Sequence, residues 1–128
     1  MAQTRKLASQ LQIRKHWAQW LVDKGKMDSI TESMEKGICF ACGYSSPVGL
    51  SVERCHITAK CNGGSDTADN LHNLCSVCHK ASESKEGDDY FEWYDSWTQM
   101  DYVVARAVRS GVPVGQIITE WMGEYNVL

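Results

Sequence analysis

No run of about 18 consecutive apolar residues occurs anywhere in this chain, which excludes a membrane span. The first 26 residues lack the apolar stretch of an export signal, because Arg5, Lys6, Arg14, Lys15 and His16 interrupt them. The expected compartment is therefore cytoplasmic and reducing. Internal repeats and low-complexity tracts are also missing. So is a net positive charge: the chain carries −3 in total, the wrong sign for uniform attraction to phosphates. That total hides an asymmetry, since residues 1–26 carry +5, residues 27–80 carry −2 and residues 81–128 carry −6. The basic end is the better candidate for meeting polyanions, with a merely solvated helix face as the alternative.

A length of 128 residues fits one domain. Three stretches are expected within it: a helical segment at 1–37, a central unit at 38–84 and a helical segment at 85–128. Between Thr4 and Lys24 the residues Leu7, Leu11, Trp17, Ala18, Trp20 and Leu21 recur at roughly helical spacing, which predicts an amphipathic helix. A shorter helix is predicted from Ser29 to Lys36, capped by Asp28 or Ser29 and ended by Gly37. From Ile38 to Ile57 turn residues separate β-prone segments, so a hairpin-like connection is expected, with a strand over Leu50–Ile57. Residues 58–69, with Gly63 and Gly64 at their centre, read as a loop. One helix is then predicted from about Asp88 to Arg109, stopped by Gly111, and a last one from Pro113 to about Tyr125. The aromatic residues Tyr90, Phe91, Trp93, Tyr94 and Trp97 are read as core. A stacking platform for bases is the sharper alternative, which the acidic setting disfavours.

Six cysteines are present. Cys39 and Cys42 form one C-x2-C knuckle and Cys75 and Cys78 form another. A disulfide inside such a knuckle would close only a tiny loop, whereas two knuckles together offer four thiolates to one tetrahedral Zn²⁺ and tie distant segments together. Redox dithiols are the competing reading. A four-cysteine site leaves zinc no open position, so that ion is expected to be structural. Cys55 and Cys61 remain over, as buried thiols or as a redox-sensing pair.

The stretch between the knuckles contains Cys55-His56-Ile57, Gly63-Gly64, Asn70-Leu71-His72-Asn73-Leu74-Cys75 and Cys78-His79. In order and spacing it resembles the HNH (ββα-metal) endonucleases that carry a zinc-ribbon scaffold. The resemblance spans residues 39–80 and implies an α+β fold, a ββα-metal core with structural zinc flanked by N-terminal and C-terminal helices. It also implies a metal-dependent endonuclease that hydrolyses phosphodiester bonds of DNA, by nicking or by cutting both strands. On this resemblance His56 is the general base toward water, Asn70 orients His56 or holds the site closed, and His79 ligates a catalytic divalent metal such as Mg²⁺, Mn²⁺ or Ni²⁺. The chemistry is reasonable in itself: imidazole is poised to take a proton near neutrality, and a divalent cation neutralises charge growing on phosphate.

One departure stands out. Many HNH enzymes carry an Asp, a second metal ligand, directly before the base histidine, and Cys55 occupies that position here. Cys55 could ligate a softer ion, or Glu53 or Glu83 could supply a carboxylate, Glu83 lying four residues after His79. Arg54, Lys60 and Lys80 are the candidate phosphate contacts, with plain solubility as the alternative. His16 and His72 read as structural or surface residues. The replacement by Cys55 also keeps a rival open, a non-catalytic zinc-ribbon module that binds nucleic acid or protein. The acidic aromatic C-terminal half could close the core, or serve a homodimer or a larger complex.

Overall fold

The computed structural model describes residues 7–43 and 52–111, together with residues 113, 115, 116 and 119, and the architecture is α+β. In chain order the elements are α1 (Gln10–Asp23), α2 (Ile30–Ser33), β1 (Glu53–His56), β2 (Leu71–Leu74), α3 (Ser76–Ser82), α4 (Asp88–Ser96) and α5 (Gln99–Ser110). The two strands pair antiparallel, with Cys55 opposite His72 and His56 opposite Leu71. α3 follows β2 directly, which completes a ββα unit with α1 and α2 before it and α4 and α5 after it.

Local chemistry sets the helix ends. Ser9 and Gln12 form a capping box, so α1 begins at Gln10 rather than at Thr4 as its periodicity suggests. Residues 4–6 of that predicted helix lie outside the described residues. Ser29 caps α2 by accepting from the Glu32 amide, but α2 runs for only four residues, because Met34 already leaves helical geometry and Gly37 sits at φ +81°. The predicted strand over Leu50–Ile57 is realised as Glu53–His56; residues 44–51, where a hairpin-like turn is expected, lie outside the described residues. The 58–69 loop contains two single 3₁₀ turns, Lys60–Asn62 and Ala68–Asn70.

The single helix expected over 88–109 is two helices. Trp97 turns extended and Thr98 caps α5 in a second capping box with Asp101, so the aromatic pattern runs on while the backbone restarts. Such a cap is worth about 1 kcal/mol, enough to fix a boundary that hydrophobic periodicity does not register. Gly111 ends α5 in the left-handed conformation, as expected of a glycine stop. Most of the helix predicted over Pro113–Tyr125 lies outside the described residues.

The core gathers α1 (Ile13, Leu21), the first knuckle (Phe40), β2 (Leu71, Leu74), α4 (Tyr94) and α5 (Val103). The aromatics of α4 read as core are indeed there: Tyr90, Trp93 and Tyr94 are buried, and Phe91 packs against them half-buried. At the centre lies His72, fully buried, with Trp17 edge-on at 4.5 Å and the rings of Phe40, Tyr90 and Tyr94 at 5.2 to 5.4 Å. A 2.6 Å hydrogen bond joins His72 Nδ1 to the Tyr90 hydroxyl. Burial, reinforced by repulsion from His16, lowers the His72 pKa from its ordinary value to about 3, so the ring is neutral in the folded protein. The unfolded chain then binds a proton that the folded one refuses between about pH 6.5 and pH 3. Stability is expected to fall as pH drops through that window, and His72→Gln to flatten the slope, as read from urea unfolding at a series of pH values.

Candidate active site and metal centre

Four sulfurs converge first. The Sγ atoms of Cys39, Cys42, Cys75 and Cys78 all lie within 4.8 Å of one another, and Cys42 Sγ stands 3.8 Å from Cys75 Sγ. A regular tetrahedron with metal–sulfur bonds of about 2.3 Å has edges of about 3.8 Å, so the donor set fits a Zn²⁺-sized ion. Both knuckles are built for it. The Gly43 amide donates to Cys39 O across a turn that Gly43 closes at φ +75°, and Cys75 Sγ caps α3 by accepting from the Cys78 amide. The Phe40 amide donates to Asn73 O, which joins the first knuckle to β2, and the Tyr94 hydroxyl donates to Phe40 O.

His56 ends β1 half-buried, and its Nε2 lies 2.9 Å from Asp66 Oδ1. Asp66 is 5% exposed, and Lys60 Nζ approaches its other oxygen at 3.2 Å. The hydrogen bond with His56, then that with Lys60, holds the Asp66 carboxyl below the usual carboxylate range. Asn70 does not bond His56. Its amide nitrogen donates to Thr58 O at 3.0 Å and Ser65 O at 2.8 Å, while its oxygen accepts from the Thr58 amide at 3.0 Å. Gly64 lies in the clasp: a Cβ there would stand 1.8 Å from Thr58 O and 2.9 Å from Asn70 Nδ2. Glu86 grips the loop from the opposite side, accepting from the Ala59 amide and, at 2.8 Å, from Asn62 Nδ2.

His79 sits in α3, one position beyond Cys78, with Nδ1 3.3 Å from Glu53 Oε2 across on β1. Both side chains are about half exposed. Two donors about 2.1 Å from one ion and at right angles to each other stand about 3 Å apart, so this nitrogen and oxygen suit a divalent cation. Glu83, the other carboxylate considered, pairs with Lys80 at 3.0 Å. Cys55 is buried in the core, its thiol donating to Glu53 O, and burial followed by the nearby Glu53 charge pushes its pKa well up. Cys61 is exposed on the 60–62 turn.

His56 and His79 line one cleft of about 470 Å³, together with Arg54 and Lys60. Residues 39–85 match the family model of the HNH endonucleases. No curated protein and no solved structure gives a significant match to the chain.

The HNH segment thus takes in both knuckles, both strands, α3 and every residue the motif singles out. Of the three basic residues expected to meet phosphate, Arg54 and Lys60 line the cleft, and Lys80 lines an adjoining hollow with Glu53 and His79. Each is engaged within the chain: Arg54 donates to Ala8 O at 3.2 Å, Lys60 faces Asp66 and Lys80 faces Glu83. Three of the four described basic residues in the N-terminal stretch are likewise engaged within the chain. Arg14 is buried, Lys24 pairs with Asp95 at 2.9 Å, and Lys26 lies over the Tyr94 ring at 4.6 Å. Asp66 is the residue of this site that motif reading assigned only to a loop; its one signal was position, two residues past the Gly-Gly pair.

Elemental analysis of the purified protein is expected to find about one zinc per chain, and Cys75→Ser to lose the ion and the cooperative unfolding transition together. Gly64→Ala is expected to force the loop off Asn70 and to lower unfolding free energy in urea by at least ~2 kcal/mol.

Proposed function

We propose that the protein is a metal-dependent endonuclease that hydrolyses phosphodiester bonds of DNA, with a structural zinc on Cys39, Cys42, Cys75 and Cys78. The observation that carries this reading is the cleft that His56 and His79 line together with Arg54 and Lys60, with His79 also facing Glu53 in the hollow that adjoins it. His56 acts as the general base toward the attacking water. His79 and Glu53 hold the catalytic divalent ion, Glu53 taking the part that the buried Cys55 thiol is poorly placed to play. When bound, such an ion neutralises charge on the phosphate and supports the departing 3′ oxygen. An imidazole and a carboxylate suit Mg²⁺, Mn²⁺ or Ni²⁺ better than the four-sulfur centre does.

Arg54 and Lys60 guide the phosphate backbone into the cleft, giving recognition by backbone and shape with little dependence on base sequence. The departure of Cys55 from the family pattern supports one other reading, a non-catalytic zinc-ribbon module that binds nucleic acid or protein.

Incubation of supercoiled plasmid with the protein and Mg²⁺, Mn²⁺ or Ni²⁺ separates the two. The expected result is ion-dependent nicking or linearisation, reduced about 10²- to 10⁴-fold by His56→Ala and made to require more ion by Glu53→Gln. Cleavage that survives His56→Ala would sink the assignment of the base. DNA retention in a gel shift with no cleavage under any ion would favour the binding module.

A further inference from the structure

Any imidazole acting as a base must hold its one proton on the nitrogen that does not face the substrate. A free ring divides between two tautomers, and only one of them presents a lone pair to the incoming water. The surroundings of His56 bear on that choice. Its Nε2 lies 2.9 Å from Asp66 Oδ1, and a carboxylate in the ionised form can only accept. The proton of the neutral ring therefore belongs on Nε2, and Nδ1 keeps the lone pair.

Asp66 is also held far more firmly than a loop carboxylate needs to be. Lys60 Nζ stands 3.2 Å from its second oxygen. Its backbone carbonyl accepts from the Ala8 amide at 2.9 Å, which anchors the residue to the chain ahead of α1. One position earlier, Ser65 O accepts from Asn70 Nδ2 at 2.8 Å. The residue is only 5% exposed although its side chain is a carboxylate. Burying a carboxylate beside a histidine carries a desolvation cost that a solvent-facing serine or asparagine at this place would avoid.

We propose that Asp66 is a positioning residue for hydrolysis: its carboxylate accepts the Nε2 proton of His56, fixing the ring's tautomer and orientation so that Nδ1 receives the proton of the attacking water. The proposal rests on the reading of His56 as the base. It gives Asn70 a defined purpose, since Asn70 steadies Ser65 and thereby Asp66, while its other side-chain bonds hold Thr58, two residues after His56. Lys60 completes the arrangement by keeping Asp66 ionised and turned toward the ring. As the base takes its proton, the ring becomes a cation with both nitrogens protonated, and the fixed carboxylate stabilises that charge.

The test reads the tautomer directly. Long-range ¹⁵N–¹H correlation spectra of the zinc-loaded protein at about pH 8, where an ordinary imidazole is neutral, are assigned by the signal that disappears in His56→Gln. The expected wild-type signature is Nε2–H with an unprotonated Nδ1. In Asp66→Asn, with zinc content and far-UV dichroism unchanged, that signature is expected to give way to a mixture of tautomers. kcat on plasmid is expected to drop about 10²- to 10⁴-fold while KM for DNA stays within about twofold.

An Nδ1–H signature in the wild type overturns the proposal without recourse to any variant. So does an Asp66→Asn protein whose tautomer and kcat are both unmoved while the wild type cuts DNA, and in that case the endonuclease reading survives. A wild type that fails to cut DNA with any of the ions overturns the endonuclease reading, and the catalytic role of Asp66 falls with it.

Discussion

Four thiols brought within 4.8 Å of one another are the constraint from which the rest of the arrangement follows. Cys39 and Cys42 come from a turn ahead of β1, Cys75 caps α3 and Cys78 lies inside it. Joining them fixes the junction of β2 and α3 to a segment more than thirty residues away. A chain of this length buries a modest core, and an ion shared by the four thiols would add what apolar packing alone supplies thinly. His79 is the residue next to Cys78 in α3, so the same joint that holds the fold also aims the imidazole facing Glu53. The His79–Glu53 pair and the four-sulfur centre are not independent: a shift in one is a shift in the other.

The second organising element is smaller and made wholly of ordinary hydrogen bonds. Asn70 spends both donors and its acceptor on the backbone of Thr58 and Ser65. The clasp is so tight that only glycine fits at position 64. A loop that reads as polar and irregular is in this way brought to one geometry, with Asp66 against His56 and Lys60 alongside. Its stiffness comes from a side-chain amide acting where a strand would otherwise be needed.

Much of this was legible in the sequence, and the parts that were not share a cause. The paired knuckles, the histidine after Cys78 and the Gly-Gly turn are local spacings, and local spacing survives folding. The helices were legible in kind, since periodicity reports which face is buried. Their ends were not, because Ser9 with Gln12 and Thr98 with Asp101 override the apolar pattern at α1 and between α4 and α5. His72 could be read as structural, yet its central place among the rings of Trp17, Trp20, Phe40, Tyr90, Phe91 and Tyr94 depends on α1, α4 and the first knuckle meeting on β2. Asp66 and Glu53 matter only through a partner that the fold delivers, ten residues away in one case and across from another element in the other. No spacing in the chain announces such a meeting.

Glu86 stands one residue beyond the segment that matches the HNH endonucleases, and Trp17, whose indole donates to Ala68 O at 2.8 Å, stands well before it. Between them these two side chains grip both ends of the loop that carries Asp66. A fragment trimmed to 39–85 would keep every signature residue and lose the hands that steady them. The boundary of this module as a recognisable text is therefore narrower than its boundary as an object that holds its shape, and grafting it elsewhere would mean carrying α1 and the start of α4 along with it.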